Sequence, residues 1–448
     1  MQDIGEGVIS AFQVSIEGVV QRRGSEEYGA SLLNRWNLDV QNTPILIVYP
    51  KNINDVVKAV NFSRGYGLDF AIKAGGHGTT SACKDGLLID FSSMKKIVVD
   101  PDKRTATVEA GCLLGELDLE TSRFGLQVPS GHVSHTGVAG LTLGGGLGHL
   151  SRSFGLTVDS LLQVTIVNYK GEVMTVNNET NSDLFFGIKG AGSNYGVVIE
   201  FIFQLHPVPN IFLGTFIYPL DGCKEVLVKL GEIDRDPQTP WELSCEISIT
   251  SENIVILAIY NGKEEDGRPL VEEISKIGAP IVSKMENIKY VDLQKLMNSK
   301  VPPGKYYQRG PFLKHSLNSE AVDILLEAIS DHPTKTGTLL LIHLGGAVTN
   351  HPLKDTSSFP YRNAKYQLII FSKIVSEDSR ELIRQWTFNT HSKLSNKYCY
   401  GDYSNTTDGS QHISIIYDHC YDKLLDLKNK YDPTNFFHNN VNIKPTFI

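Results

Sequence analysis

The chain has 448 residues, 41% hydrophobic and 21% charged, which is enough apolar material for a full-sized core and long for one domain. Its 42 Lys and Arg against 50 Asp and Glu leave a formal net charge of -8, arguing against nucleic acid or an anionic membrane as the main partner. No run reaches the ~18 apolar residues of a membrane span, and Met1-Gln2-Asp3-Ile4-Gly5-Glu6-Gly7 lacks the basic and apolar regions of a secretory leader, so a cytoplasmic location is expected.

Residues 1–43 are mixed, with Trp36 as the main packing anchor. Ile45-Leu46-Ile47-Val48 reads as a buried strand. A helix follows Pro50, with Asn52 as N-cap and Ile53, Val56, Val57 and Val60 on one face, ending near Gly65 and Gly67. Phe70-Ala71-Ile72 leads as a strand into a glycine loop. Short strands follow at 87–90, 97–99 and 105–108, then a helix over 115–124. The spacing predicts a hairpin over 161–167 and 172–176, a helical turn over 183–188, a third glycine-rich loop at 190–196 and a strand over 197–205.

A boundary is expected near Pro207 and Pro209. Beyond it come strands at 243–249, 254–260, 338–344 and 366–375, and helices at 270–277, 319–330 and 378–389. That order suggests an antiparallel sheet with helices on one face. The tail carries a helix over 418–430 and the turn Tyr431-Asp432-Pro433-Thr434-Asn435. Six cysteines (Cys83, Cys112, Cys223, Cys245, Cys399, Cys420) show no CxxC spacing, which fits neither a disulfide framework nor zinc.

Two glycine-dense stretches stand out: Ile72-Lys73-Ala74-Gly75-Gly76-His77-Gly78-Thr79-Thr80, and Gly137 through Gly148 ending at His149. Glycine permits positive φ and close approach, so backbone N–H groups can face a phosphate-bearing planar ligand. The first loop follows a second strand, and no helix starts directly after it. This departs from the strand, Gly-rich turn, helix order of nicotinamide-dinucleotide folds.

These residues resemble the berberine-bridge-enzyme-like FAD-linked oxidoreductases of the vanillyl-alcohol-oxidase type. Lys73-Ala74-Gly75-Gly76-His77 is similar to the family's basic-x-Gly-Gly-His loop, and residues 137–159 to its longest glycine segment. Residues 190–198, Gly345-Gly346-Ala347-Val348, Phe359-Pro360-Tyr361-Arg362 and residues 430–443 resemble further family motifs. The resemblance implies an α+β fold: a PCMH-type FAD-binding domain of two α+β subdomains (1–209), an antiparallel-sheet substrate domain with helices on one face (210–400), and a C-terminal segment (401–448) returning to the first domain.

It further implies FAD bound covalently through His77, with contacts from Lys73, Ala74, Gly75, Gly76, Gly78, Thr79, Ser130, Val133, Gly137, Val138, Gly140, Leu141, Gly144, His149, Val198, Asn440 and Asn442. Many relatives add a second tether from Cys in a Pro-x-Gly-x-Cys segment. Here that segment is Pro129-Ser130-Gly131-His132-Val133, so no cysteinyl link is expected. Thr136 occupies a position where relatives admit or block oxygen, and is compatible with O2 as acceptor.

For chemistry, an alcohol oxidase needs a base for the O–H proton while hydride goes to the flavin. Tyr400, in Tyr400-Gly401-Asp402-Tyr403, is the first candidate and Tyr366 the second. Gln367-Leu368-Ile369-Ile370 carries no carboxylate, unlike the alkaloid-cyclising relatives. His132-x-x-His135 with His149 lacks a completing ligand, so no metal is expected. The implied activity is oxidation of a sugar hydroxyl or other secondary alcohol of a small-molecule substrate, giving hydrogen peroxide. Alternatives are natural-product tailoring, a dehydrogenase using another acceptor, or a flavoprotein that only binds.

Overall fold

The apolar run around Ile47 forms the strand Leu46–Tyr49, buried almost throughout. In the computed structural model, which describes residues 4–407 and 411–446, it sits in a four-stranded sheet. Met1-Gln2-Asp3, from the leader reading, lies outside the described residues. Val19–Arg22 pairs antiparallel on one side of Leu46–Tyr49, and Leu87–Asp90 then Phe70–Lys73 run parallel on the other. The helix Ile53–Tyr66 connects these strands. Asn52 caps it by accepting from the Asp55 N–H, and Gly67 closes it at φ +62°. Asp55 is buried and accepts backbone N–H bonds from Glu17, Gly18 and Lys51, tying the preceding loop to the helix start.

A five-stranded antiparallel sheet follows, in the order Ile97–Asp100, Thr105–Glu109, Val197–Gln204, Leu161–Val167, Val173–Asn177. Both sheets share one apolar core with the tail helix Tyr421–Tyr431. Lys428 of that helix is fully buried. It donates to Asp432 and to the carbonyls of Asn194 and Phe437, which locks the tail onto the first unit.

The middle of the chain forms a nine-stranded antiparallel sheet. The helices Cys223–Arg235, Glu264–Ser275, Ser319–Ser330 and Glu377–Tyr398 cover one face. Period-two alternation divides its strands: Leu339, Leu341, Tyr366, Leu368 and Ile370 pack under the helices, while Leu340, Ile342, Gln367, Ile369 and Phe371 face a cavity. The strand Cys399–Asp402 belongs to this sheet, pairing antiparallel with Pro311–Leu313.

Five strands of this sheet lie outside the sequence-based set: Ile211–Pro219, Val282–Ile288, Tyr306–Arg309, Pro311–Leu313 and Cys399–Asp402. Ile211–Pro219 starts directly at the proline boundary. Val282–Ile288 is an edge strand of mostly exposed residues, so it carries no apolar alternation. None of the described helices is long and apolar enough to cross a membrane.

Candidate functional site

The first two glycine loops meet backbone to backbone. A Cβ on Gly75 would fall 2.4 Å from the Gly137 nitrogen, and one on Gly137 would fall 2.4 Å from the Gly75 nitrogen. Gly76 turns at φ +70°, a conformation that side chains rarely adopt. This places His77 beside the second loop, where its Nε2 lies 2.9 Å from His135 Nδ1. Trp36 stacks on the His77 ring at 4.5 Å and 3°, and on Tyr306 of the substrate sheet at 4.4 Å and 4°. The Trp36 indole N–H donates to the Val301 carbonyl, so the stack bridges the two units. Burial, with His135 adjacent, brings the His77 pKa down to about 3, leaving a neutral imidazole.

A cavity of about 360 Å³ opens between these loops and the substrate sheet. Ala74, Gly75, Gly76, His77, Gly78 and Thr79 line it from the first loop, and Val133, Gly137, Gly140, Leu141 and Gly144 from the second. Val198 and Asn440 complete the expected residues on its wall. No Asp, Glu, Lys or Arg lines it among the described residues. Ser81 Oγ and Asn440 Oδ1, both on residues of this wall, are buried without hydrogen-bond partners. Neutral donors, open glycine backbone and unpaired polar atoms fit a dinucleotide whose phosphates are met by backbone N–H groups rather than by cations.

Five expected contacts lie off the wall. Lys73 is buried and spent on Asp90, Nζ to Oδ2 2.7 Å. Ser130 is fully buried and bonds Asp118 and the Gln294 amide. Val138 belongs to the core, its N–H donating to the Cys112 carbonyl. Asn442 keeps a buried, unpartnered Oδ1 away from the cavity. His149 turns to Glu246, Nδ1 to Oε1 2.7 Å.

Both candidate bases are also displaced. Tyr400 is 47% exposed, stacked on Tyr361 at the outer side of its strand. Tyr366 points under the helices and stacks on His343, because strand parity gives the cavity to its neighbour Gln367. Of the two tyrosines on the wall, Tyr417 and Tyr403, the latter stands three residues beyond Tyr400. Its oxygen accepts from the Gly146 N–H and from Asn405 Nδ2, each at 2.9 Å. Burial raises its pKa, and the two donors oppose that.

Sequence reading did not find Glu246. Its Oε1 also meets Nε2 of His132, a wall residue, at 3.1 Å. Burial disfavours the Glu246 carboxylate, but His149 and His132 outweigh it and hold its pKa below the usual range. Ligand atoms of His132, His149 and Glu246 lie within 4.8 Å of one another. Yet His149 Nε2 is buried without a partner, whereas a metal-bound imidazole normally donates its other N–H. The cluster therefore fits a carboxylate held by two imidazoles better than a metal centre. His132 and His135 turn apart, one ring going to Glu246 and the other to His77. Only contacts distant in sequence, |i−j| = 114 and 97 for the Glu246 bonds, create this cluster, so no local motif signals it.

Comparison with known proteins gives a consistent picture. Residues 44–177 match the FAD-binding-domain family, and residues 402–444 match the "berberine and berberine like" family. An FAD-linked oxidoreductase of Dictyostelium discoideum is 57% identical over 439 residues, spanning 98% of this chain and 97% of that protein. The FAD-linked oxidoreductase YgaK of Bacillus subtilis is 28% identical over 97% of this chain and 98% of its own length. Among solved structures, BBE-like 1 of Physcomitrella patens superposes with TM-score 0.88 at 23% identity, covering 96% of this chain and 97% of that one. Xylooligosaccharide oxidase of Myceliophthora thermophila superposes at 0.87 and 20% identity, covering 98% and 100%.

Proposed function

Because this chain belongs to the berberine-bridge-enzyme-like FAD-linked oxidoreductases, we propose that it oxidises a CH–OH group of a small molecule, with FAD tethered to His77 and O2 as electron acceptor. The bound flavin supplies the hydride acceptor and returns the electrons to O2 as hydrogen peroxide. The observation that carries this reading is the contact of Gly75 with Gly137, which sets a neutral His77 on the wall of an uncharged cavity.

The tether is assigned to His77 alone. In the tautomer that donates from Nε2 to His135, Nδ1 of His77 keeps its lone pair as a nucleophile. Val133 stands where a second, thiol tether would sit, and no cysteine is among the wall residues. Cys83 and Cys112 are buried, and burial pushes both thiols up to about 12, so thiolate is disfavoured.

Tyr403 takes the substrate's hydroxyl proton in this reading, since its oxygen already accepts two bonds that favour the phenolate. A second reading gives that proton to His132. A proton on its Nε2, donated to Glu246, leaves Nδ1 as the acceptor of a carboxylate-oriented imidazole.

Oligosaccharide oxidases and a pollen allergen with glucose dehydrogenase activity share the fold, so sugars and other secondary alcohols form the first panel. Anaerobic bleaching of the flavin by one of them, followed by peroxide release on admitting air, is the expected result. Bleaching without reoxidation by air would assign a dehydrogenase, and no bleaching by any compound would sink the oxidation reading. Tailoring of a natural product is the alternative within the same chemistry.

A further inference from the structure

The nine-stranded sheet ends on one side at Val282–Ile288, every residue of which pairs antiparallel with the strand Ile211–Pro219. Among the described residues, no strand pairs with its other side. An edge of this kind is an open template for one further strand. Proteins commonly guard it with a lone lysine, whose charge repels a second copy. Here Lys284 is not alone. Glu286 follows two positions on, on the same face, with Lys284 Nζ to Glu286 Oε1 2.6 Å. Both side chains reach solvent, so the pair adds little to the monomer. Ile281 and Val282 beside it are apolar yet 67% and 42% exposed.

The order Val282-Ser283-Lys284-Met285-Glu286-Asn287-Ile288 is complementary to its own reverse. About a two-fold axis at Met285, an antiparallel copy sets Lys284 opposite Glu286 and Glu286 opposite Lys284. Val282 then falls opposite Ile288, and Ser283 opposite Asn287. Opposite charges and apolar pairs facing across two strands are favourable. Sliding the copy by two residues sets Lys284 against Lys284 in one direction and Glu286 against Glu286 in the other, which is unfavourable. The charges therefore select one register.

We propose that the Val282–Ile288 edge is a self-association surface, pairing with the same strand of a second copy about a two-fold axis at Met285. The contact uses the free edge of each copy, so it closes at the dimer. It needs no flavin and stands apart from the oxidation reading.

The test is sedimentation velocity of the full chain from about 1 to 100 μM, the range in which so small a contact associates. A monomer–dimer equilibrium is expected. Lys284→Glu places two Glu–Glu pairs in each dimer and should weaken association by about tenfold or more. Adding Glu286→Lys restores opposite charges at both positions and should return the constant to within about threefold of the original chain. Melting temperatures should agree among the three chains, because both side chains reach solvent. Met285→Cys treated with a short bismaleimide should give a covalent dimer that the original chain does not, since its six native cysteines are buried. A monomer throughout the range overturns the proposal. So does a dimer that Lys284→Glu leaves intact, a double variant as weak as the single one, or a Met285→Cys chain that does not cross-link.

Discussion

His77 and His135, 58 positions apart in the chain, meet nitrogen to nitrogen at 2.9 Å under the face of Trp36. Only one of the two facing nitrogens carries the proton between them, so the contact couples the tautomers of the two rings. Acid-precipitated protein is expected to retain its flavin fluorescence, and His77→Ala to lose it. His135→Ala should slow covalent attachment without preventing FAD binding. A flavin peptide containing any cysteine would contradict the single tether.

The Gly75–Gly137 approach leaves no room for a side chain. Gly75→Ala forces a Cβ to 2.4 Å from the facing nitrogen, so one loop must move. Overpacking of this kind costs about 1–3 kcal/mol. A lower melting temperature and reduced flavin content in the purified variant are the expected readouts; wild-type values for both would show that the loops part freely.

Tyr403 and Tyr400 separate a wall phenol from an exposed one. Tyr403→Phe should slow anaerobic flavin reduction by about 10²–10⁴-fold, the usual scale for a lost general base. Tyr400→Phe should leave that rate unchanged. Because burial raises the Tyr403 pKa, the reduction rate should climb with pH into the alkaline range. A plateau near pH 7, together with a slow His132→Asn variant, would transfer the role to the His132–Glu246 pair.

Among the described residues, the buried Asp118 carboxyl accepts from the Ser130 hydroxyl and the Gln294 amide and has no ion pair. Burial pushes its pKa up to about 7, against the opposing bonds from Gln294 and Ser130. A carboxyl whose folded pKa is raised adds stability that is fully present below its unfolded pKa, about 3.9, and is lost as pH rises through about 7. Asp118→Asn should therefore flatten the fall in stability between about pH 4 and 7. Denaturant midpoints across that range check it, and parallel profiles for variant and wild type would refute it.

Local patterns told much of the fold. The Asn52 cap and Gly67 stop of the first helix, the hairpin formed by Leu161–Val167 and Val173–Asn177, and the helix Ser319–Ser330 are written in residues a few positions apart. The edge strand Val282–Ile288 was illegible because an edge buries little. The helix Glu377–Tyr398 runs well past its expected end at residue 389, because Trp386 and Leu394 pack into the substrate-sheet core and carry it through polar sequence.

At the site, the glycine loops and His77 were visible by themselves, since glycine density and one embedded histidine need no partner to be noticed. Sequence alone thus determined the flavin-binding scaffold and the absence of cysteine at residue 133. Which tyrosines reach the cavity, where His132 and His149 turn, and that Gln367 rather than Tyr366 faces the cavity were decided by tertiary structure. Strand parity assigns alternate side chains to opposite faces, and Glu246 meets its histidines only when the middle sheet closes over the glycine loops.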